Sequence, residues 1–176
     1  MTTIATELRR ILIVDDNPSI HDDFRKILQH DRRGGTALEE AATALFGDPP
    51  SSILDEQYEL DFAFQGQDGF ERVLTAQDEQ RPYAMAFVDV RMPPGWDGIE
   101  TAAQIIDNDT DIQIVICTAF SDYSVEQMID KIGWTDRLMI LKKPYDCAEV
   151  RLFALSLTEK WQLARAGRTL VASLLT

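Results

Sequence analysis

The chain has 176 residues, 45% of them apolar, and its 30 acidic and 17 basic side chains give a formal net charge of −13. This length and apolar content suit one domain with a sizeable core. The acidic balance argues against a nucleic-acid binder, which needs a basic face, and against attraction to an anionic membrane surface. The longest apolar runs are too short to span a bilayer, and the two cysteines form neither a disulfide framework nor a zinc motif. We therefore expect an acidic cytoplasmic protein that contacts neither nucleic acid nor membrane directly.

Short apolar runs alternate with amphipathic stretches along the chain. The first run ends at Asp15, and Asn17-Pro18 then supplies a helix cap followed by proline at the first helical position. Each of four later runs is also followed by a helical pattern. The five predicted strands are Ile11–Val14, Tyr58–Phe64, Ala84–Val88, Ile112–Cys117 and Leu138–Leu141. This alternation predicts an α/β fold in which a doubly wound, five-stranded parallel sheet is covered by helices on both faces.

Two segments exceed the minimal unit of this kind. Residues 31–57 form an insertion between the first helix and the second strand, where a connection of about 2–6 residues is usual. The tail predicts an extended C-terminal helix of about 28 residues. Its heptad-like seam is either the core face of an overlong helix or a contact with a second copy of the chain. The seam positions are Val150, Ala154, Leu157, Trp161, Ala164, Arg168, Val171 and Leu175.

Polar side chains follow four of the five predicted strands. In a doubly wound sheet the carboxyl ends of the strands meet at one edge, where ligands bind. Three carboxylates held there would repel each other by about 4 kcal/mol per pair at an effective dielectric constant near 20. Mg²⁺ would relieve this repulsion, and one carboxylate could then act as a nucleophile toward phosphorus. The residues at these ends are Asp15, Asp16, Asp89, Thr118 and Lys143.

These motifs resemble the receiver domain of bacterial two-component response regulators. They stand in the family's order: Asp15-Asp16-Asn17, Asp89 with Met92-Pro93 and Asp97-Gly98, Thr118-Ala119, and Lys143-Pro144. The resemblance covers roughly residues 8–158, and residues 159–176 form a helical extension that could serve as a coiled-coil linker. The resemblance implies a flavodoxin-like receiver fold with strand order 2-1-3-4-5. The domain could also be part of a longer hybrid or multidomain signalling protein.

The resemblance also implies roles for the residues at the strand ends. Asp89 would be the phosphoacceptor, and the backbone carbonyl of Arg91 would join the three carboxylates in binding Mg²⁺. Thr118 would be the switch hydroxyl, and Lys143 would contact the phosphoryl group before a cis peptide to Pro144. The donor would be a phosphohistidine on a histidine kinase or a phosphotransfer protein. The Mg²⁺ carboxylates would be Asp15, Asp16 and Asp89.

The sequence departs from the family pattern in several places. Pro94-Gly95-Trp96 lengthens the loop after Asp89 by one residue and is expected to expose the tryptophan. Ile140 replaces the aromatic residue that often precedes the lysine by three positions, so the resemblance does not extend to the aromatic half of the usual switch. Arg91 and Phe120 are bulky residues that flank the path of attacking water in this family, which predicts slow autodephosphorylation.

Other functions remain open at the level of the sequence. An aspartate-nucleophile phosphatase or phosphotransferase typically carries a second Asp two residues after the nucleophile, where this chain has Arg91, which cannot donate a proton at neutral pH. A phosphorylation-independent scaffold is a third alternative, favoured by Ile140 and disfavoured by the intact acidic set. We expect a signalling switch rather than a conventional enzyme. Away from the motifs, His21 and His30 are expected to face solvent and Cys117 to pack as a small apolar side chain.

Overall fold

The computed structural model describes residues 8–29, 58–119 and 122–175, so the predicted insertion, His30 and Phe120 lie outside the described residues. Strands and helices alternate along this part of the chain, as the sequence predicts. They are β1 (Arg9–Val14), α1 (Pro18–Leu28), β2 (Tyr58–Ala63), α2 (Gly66–Asp78), β3 (Met85–Asp89), α3 (Gly98–Asn108), β4 (Gln113–Thr118), α4 (Val125–Ile132), β5 (Leu138–Lys142) and α5 (Cys147–Leu174).

The five strands form one parallel sheet in the order β2-β1-β3-β4-β5. This confirms the doubly wound fold and the strand order. The register pairs Val14 with Val88 between β1 and β3, and Asp89 with Cys117 between β3 and β4. The ends of these central strands therefore lie side by side, as the topological switch point requires.

Two hydrophobic clusters cover the two faces of the sheet. Leu12 and Val14 of β1 pack with α2, α3 and α4, whereas Ile11 and Ile13 pack with α1 and α5. Because successive side chains of a strand point to opposite faces, burial on both sides explains why the strands are continuously apolar. The buried Cys117 belongs to the second cluster, which confirms its predicted packing.

Side-chain caps fix where the helices begin at the carboxyl edge of the sheet. The Asn17 carboxamide oxygen accepts a hydrogen bond from the Ser19 amide at 3.0 Å, and Pro18 occupies the first turn of α1. The Asp97 carboxylate accepts from the Glu100 amide at 2.8 Å at the start of α3. These caps satisfy amides that have no partner within the helix. They also end the loops after β1 and β3 at defined points.

Two sequence expectations about exposure are wrong. His21 is 2% exposed and lies against the rings of Phe62 and Phe64, with centroids 5.0 and 4.6 Å away. Burial lowers the pKa of the His21 imidazole. Trp96 is half-buried and packs against Phe70 on α2, with ring centroids 5.7 Å apart. In both cases a neighbouring element that is distant in sequence covers the side chain.

The final helix α5 has the predicted length, 28 residues. It runs without a break through position 158, where the sequence predicts the receiver domain to end and the helical extension to begin. Val150, Ala154 and Leu157 are buried in the second cluster, so the inner half of the predicted seam is a core face. Further out, Arg168 pairs with Asp111, which precedes β4. Within the described residues, no helix is both long and apolar enough to cross a membrane.

Helix α5 carries a second, exposed apolar stripe along its length, which we call the leucine stripe. At about 100° per residue, its members fall on the side of the helix opposite the predicted seam. Each is at least 62% exposed in the described structure. The stripe consists of Leu152, Leu163, Leu170 and Leu174.

Gly98 lets α3 begin directly against the end of β3. A Cβ atom there would lie well inside the contact distance of the Asp89 carbonyl carbon and oxygen, which are backbone atoms that cannot move aside. Gly98→Ala should therefore lower the free energy of unfolding by about 1–3 kcal/mol, as overpacking does. Chemical denaturation followed by circular dichroism measures this change.

Gly167 provides the matched control inside the last third of α5. A Cβ atom added there meets no atom within 4 Å in the described structure. Gly167→Ala should raise the free energy of unfolding by about 0.5–1 kcal/mol, because alanine loses less backbone entropy in a helix. Equal effects of the two substitutions would contradict the tight packing of α3 on Asp89.

Candidate functional site

The predicted polar residues meet at the carboxyl edge of the sheet. Asp15, Asp16 and Asp89 each offer a carboxylate oxygen within 4.8 Å of the others. The Lys143 ammonium lies 2.7 Å from Asp89 Oδ1 and 3.8 Å from Asp15 Oδ2. Asp15 is 4% exposed and Asp89 is 9% exposed, whereas Asp16 is exposed to solvent. The result is a partly buried acidic pocket with a single ammonium at its wall, among the described residues.

Backbone hydrogen bonds hold Asp15 in place. The Asp15 amide donates to the Ala63 carbonyl at 3.0 Å, which extends the pairing of β1 with β2 by one residue. The Asn17 amide then donates to Asp15 Oδ1 at 2.8 Å and turns the chain into α1. This turn leaves Asp15 Oδ2 directed toward Lys143.

Lys143 is positioned by the strand that precedes it. Its amide donates to the Thr118 carbonyl at 2.8 Å, which continues the pairing of β5 with β4. Because side chains alternate along a strand, Lys143 reaches Asp89 while Lys142 is exposed, as expected. The Lys143–Pro144 peptide is cis, which matches the expectation from the resemblance.

The electrostatics of the pocket favour a bound cation. Burial, with Asp89 nearby, raises the pKa of Asp15 to about 6, although the Asn17 amide opposes the shift. Burial alone would lower the pKa of Lys143, but its hydrogen bond to Asp89 and the charges of Asp89 and Asp15 raise it. One ammonium therefore faces three carboxylates, which leaves excess negative charge.

The donor set fits Mg²⁺. This hard cation prefers oxygen ligands at about 2.0–2.1 Å, and opposite ligands of its octahedron lie about 4.2 Å apart. At most one pair of the three carboxylates can be opposite ligands, and adjacent ligands lie about 2.9 Å apart. The three carboxylate oxygens lie within 4.8 Å of one another, so they would move closer together around the ion. Participation of the Arg91 carbonyl stays a prediction from the resemblance.

Sequence reasoning missed Asp122, which the structure places beside Thr118. The Asp122 side chain is only 3% exposed and forms an ion pair with the Arg91 guanidinium. Its Oδ2 accepts a hydrogen bond from the Ala119 amide at 2.8 Å and lies 3.4 Å from the Thr118 hydroxyl. An isolated loop aspartate before a helix is commonplace, so only the tertiary contacts distinguish it.

A groove of about 470 Å³ lies next to the pocket, between the loop after β3 and the loop after β4. Arg91 and Asp122 bridge the two loops, and the Tyr123 hydroxyl adds a second bridge by donating to Asp97 Oδ2 at 2.8 Å. Ile140, which replaces the expected aromatic side chain, is partly buried against the first hydrophobic cluster. The groove is lined by Val90, Arg91, Met92, Pro93, Pro94, Gly95, Asp97, Asp122 and Tyr123.

Many solved structures similar to this chain are response-regulator receiver domains, and the chain has their fold. A receiver domain from Methanospirillum hungatei is 19% identical, with a TM-score of 0.61 over 90% of this chain and 99% of that one. The receiver domain of an HD domain-containing protein from Pseudomonas fluorescens is 17% identical, with a TM-score of 0.64 over 94% and 97%.

A third similar structure is that of the response regulator TrrA from Thermotoga maritima, solved in complex with Mg²⁺ and BeF. It is 22% identical to this chain, with a TM-score of 0.52 over 84% of this chain and 99% of that one. At these identities the similarity establishes the fold. Neither a protein-family model nor a curated protein sequence matches the chain.

Asp15→Asn should stabilise the metal-free protein and remove Mg²⁺ binding. The raised pKa of Asp15 means that its charge disfavours folding at neutral pH, so the uncharged amide should raise the free energy of unfolding by about 1–3 kcal/mol. Between about pH 4 and 6 the folded wild type binds more protons than the unfolded chain, so the free energy of unfolding of the wild type falls as pH rises. Denaturation of both proteins at pH 4 and pH 7, without divalent cations, measures the difference.

Asp16→Asn is the matched control because Asp16 is exposed. It should weaken Mg²⁺ binding with a much smaller gain in the stability of the metal-free protein. A gain at Asp16 as large as that at Asp15 would show that burial is not the cause.

Proposed function

We propose that the chain is a phosphorylatable receiver in two-component signal transduction, with Asp89 as the phosphoacceptor. The observation that carries this proposal is the contact of Lys143 with Asp89, 2.7 Å, inside a pocket that Asp15 and Asp16 complete. Lys143 keeps the Asp89 carboxylate at a fixed place and supplies a positive charge where a phosphoryl oxygen would lie. Without these residues, the receiver fold would give much weaker support for phosphorylation of the chain.

The proposed step is transfer of a phosphoryl group from a phosphohistidine to Asp89. A carboxylate oxygen of Asp89 attacks phosphorus, the P–N bond breaks, and its electron pair returns to the histidine nitrogen. The products are an acyl phosphate on Asp89 and a free histidine on a histidine kinase or phosphotransfer protein. Mg²⁺ bound by the acidic pocket would neutralise charge on the transferred group. Lys143 and Thr118 would contact its oxygens, and the altered surface would change the affinity for a partner.

Asp89→Asn tests the proposal. The wild type incubated with Mg²⁺ and a small phosphodonor should gain one phosphoryl group by intact mass, and Asp89→Asn should gain none. Asp107→Asn changes an exposed carboxylate on α3 and serves as the control that should behave as wild type. Labelling of Asp89→Asn to the wild-type level, or no labelling of wild type by either phosphodonor or phosphorylated kinase, would contradict the proposal.

Incubation of the same proteins with a phosphoester distinguishes a receiver from an aspartate-nucleophile phosphatase. Arg91 occupies the position two residues after Asp89, and its guanidinium is paired with Asp122. It cannot protonate a leaving group, so we propose no multiple turnover of phosphoesters. We also propose that the acyl phosphate hydrolyses slowly, because the bulky side chain of Arg91, two residues after Asp89, narrows the approach of water. Turnover of a generic phosphoester, or an acyl-phosphate lifetime of seconds, would contradict these two statements.

We propose that the protein works in the cytoplasm. Cys117 and Cys147 are both free thiols in the described structure, which suits a reducing compartment.

We also propose that the outer half of α5 forms a homodimer contact. The contact would use the leucine stripe, whose outer members Leu163, Leu170 and Leu174 are 64%, 62% and 77% exposed. The seam lies on the opposite side of α5, where Arg168 pairs with Asp111. Burial of the leucine side chains between two helices would stabilise a dimer.

Light scattering after size exclusion tests the homodimer. The wild type should show a concentration-dependent dimer, and Leu170→Glu should shift the protein to monomer at the same concentration because it places a charge in the stripe. Lys142→Glu, an exposed change far from α5's outer half in sequence, is the control. A wild type that stays monomeric before and after phosphorylation would exclude this contact.

A further inference from the structure

Asp122 lies beside the phosphoacceptor pocket and engages hydrogen-bond donors from both neighbouring loops. Arg91 stands two residues beyond Asp89, and Thr118 follows Cys117, the register partner of Asp89. Asp122 forms an ion pair with the Arg91 guanidinium and accepts a hydrogen bond from the Ala119 amide at 2.8 Å. Its carboxylate therefore binds groups just after the end of β3, which carries Asp89, and of the neighbouring strand β4.

The Asp122 carboxylate is buried as an anion. Its side chain is 3% exposed, and burial by itself would raise its pKa. The Ala119 amide and the Arg91 guanidinium outweigh burial and lower the pKa below its ordinary value. Charge-assisted hydrogen bonds to the Arg91 guanidinium, whose side chain is 69% exposed, and to the Ala119 amide hold the carboxylate in place.

The donors that Asp122 engages are those that suit a phosphoryl group. A guanidinium, a backbone amide and a hydroxyl are the common ligands of phosphoryl oxygens. The Thr118 hydroxyl has a single proton and lies between Asp122 Oδ2, at 3.4 Å, and the Ala119 carbonyl, at 3.1 Å. While these groups serve Asp122 and its neighbours, an anion on Asp89 must compete for them.

We propose that Asp122 is a positioning residue that acts as an internal competitor of the phosphoryl group for Arg91, Ala119 and Thr118. In the unphosphorylated state its carboxylate holds these donors between the two loops. Phosphorylation of Asp89 then requires their exchange from one anion to the other. This inference rests on the proposed function and assigns to Asp122 the control of how readily the site is phosphorylated.

The affinity for beryllofluoride, an analogue of the phosphoryl group, tests the competition. Calorimetric titration at fixed Mg²⁺ should show that Asp122→Asn binds beryllofluoride about tenfold more tightly than wild type, since the neutral amide releases Arg91. A residue with a merely structural role would lower the affinity when replaced, so the direction of change is diagnostic. Asp107→Asn is the matched control and should leave the affinity unchanged.

Arg91→Gln separates the parts of the network. It keeps the Asp122 carboxylate on the Ala119 amide, so its affinity should not rise above wild type. In the double variant Arg91→Gln/Asp122→Asn, the gain from Asp122→Asn should be smaller than in the wild-type background, because the freed guanidinium is missing. Urea denaturation of each variant reports whether it is folded, and Asp122→Glu, which keeps the charge, replaces Asp122→Asn if the latter is unfolded. Asp122→Glu should then bind within about threefold of wild type.

The outcomes distinguish this inference from the proposed function. Wild type that binds no beryllofluoride, or binds it equally well as Asp89→Asn, overturns the proposed function. Binding by wild type that depends on Asp89, combined with unchanged or weaker binding by folded Asp122→Asn, overturns only the role of Asp122. If Asp122→Glu has to be used, a loss or gain larger than about threefold overturns that role.

Discussion

The contact between the Lys143 ammonium and the Asp89 carboxylate is the interaction on which the pocket depends. Asp15 and Asp89 are buried close to each other, and their mutual repulsion in a poorly hydrated place would otherwise favour protonation or opening of the loops. One ammonium offsets part of this repulsion and leaves the rest to a divalent cation. The fold thus carries a local electrostatic cost that ligands can relieve.

The remainder of the domain compensates for that cost. The central strands are buried on both faces by two hydrophobic clusters, so their ends are held rigidly side by side. Gly98 brings the first turn of α3 against the Asp89 carbonyl, where any larger residue would collide. The loops at the carboxyl edge can therefore hold carboxylates that repel one another, while the sheet below them stays fixed.

Two buried carboxylates organise the groups around the switch point. Asp89 is paired with Lys143, and Asp122 is paired with Arg91 and the Ala119 amide. Asp89 is bound by Lys143, which follows β5, whereas the donors of Asp122 lie at the ends of β3 and β4. Under the proposed exchange of donors, an anion on Asp89 would draw on the groups that bind Asp122, and this would link chemistry at Asp89 to the groove between the two loops.

The sequence by itself determined the strands, their order along the chain and the convergence of Asp15, Asp16, Asp89 and Lys143. These follow from local apolar periodicity and from the rule that parallel strands end at one edge. Only the tertiary structure decided the surroundings of His21, Trp96, Asp122 and Arg168, because each is covered or paired by a residue remote in sequence. A pattern records how one element faces a core, but it does not record which distant side chain meets an isolated polar or aromatic group.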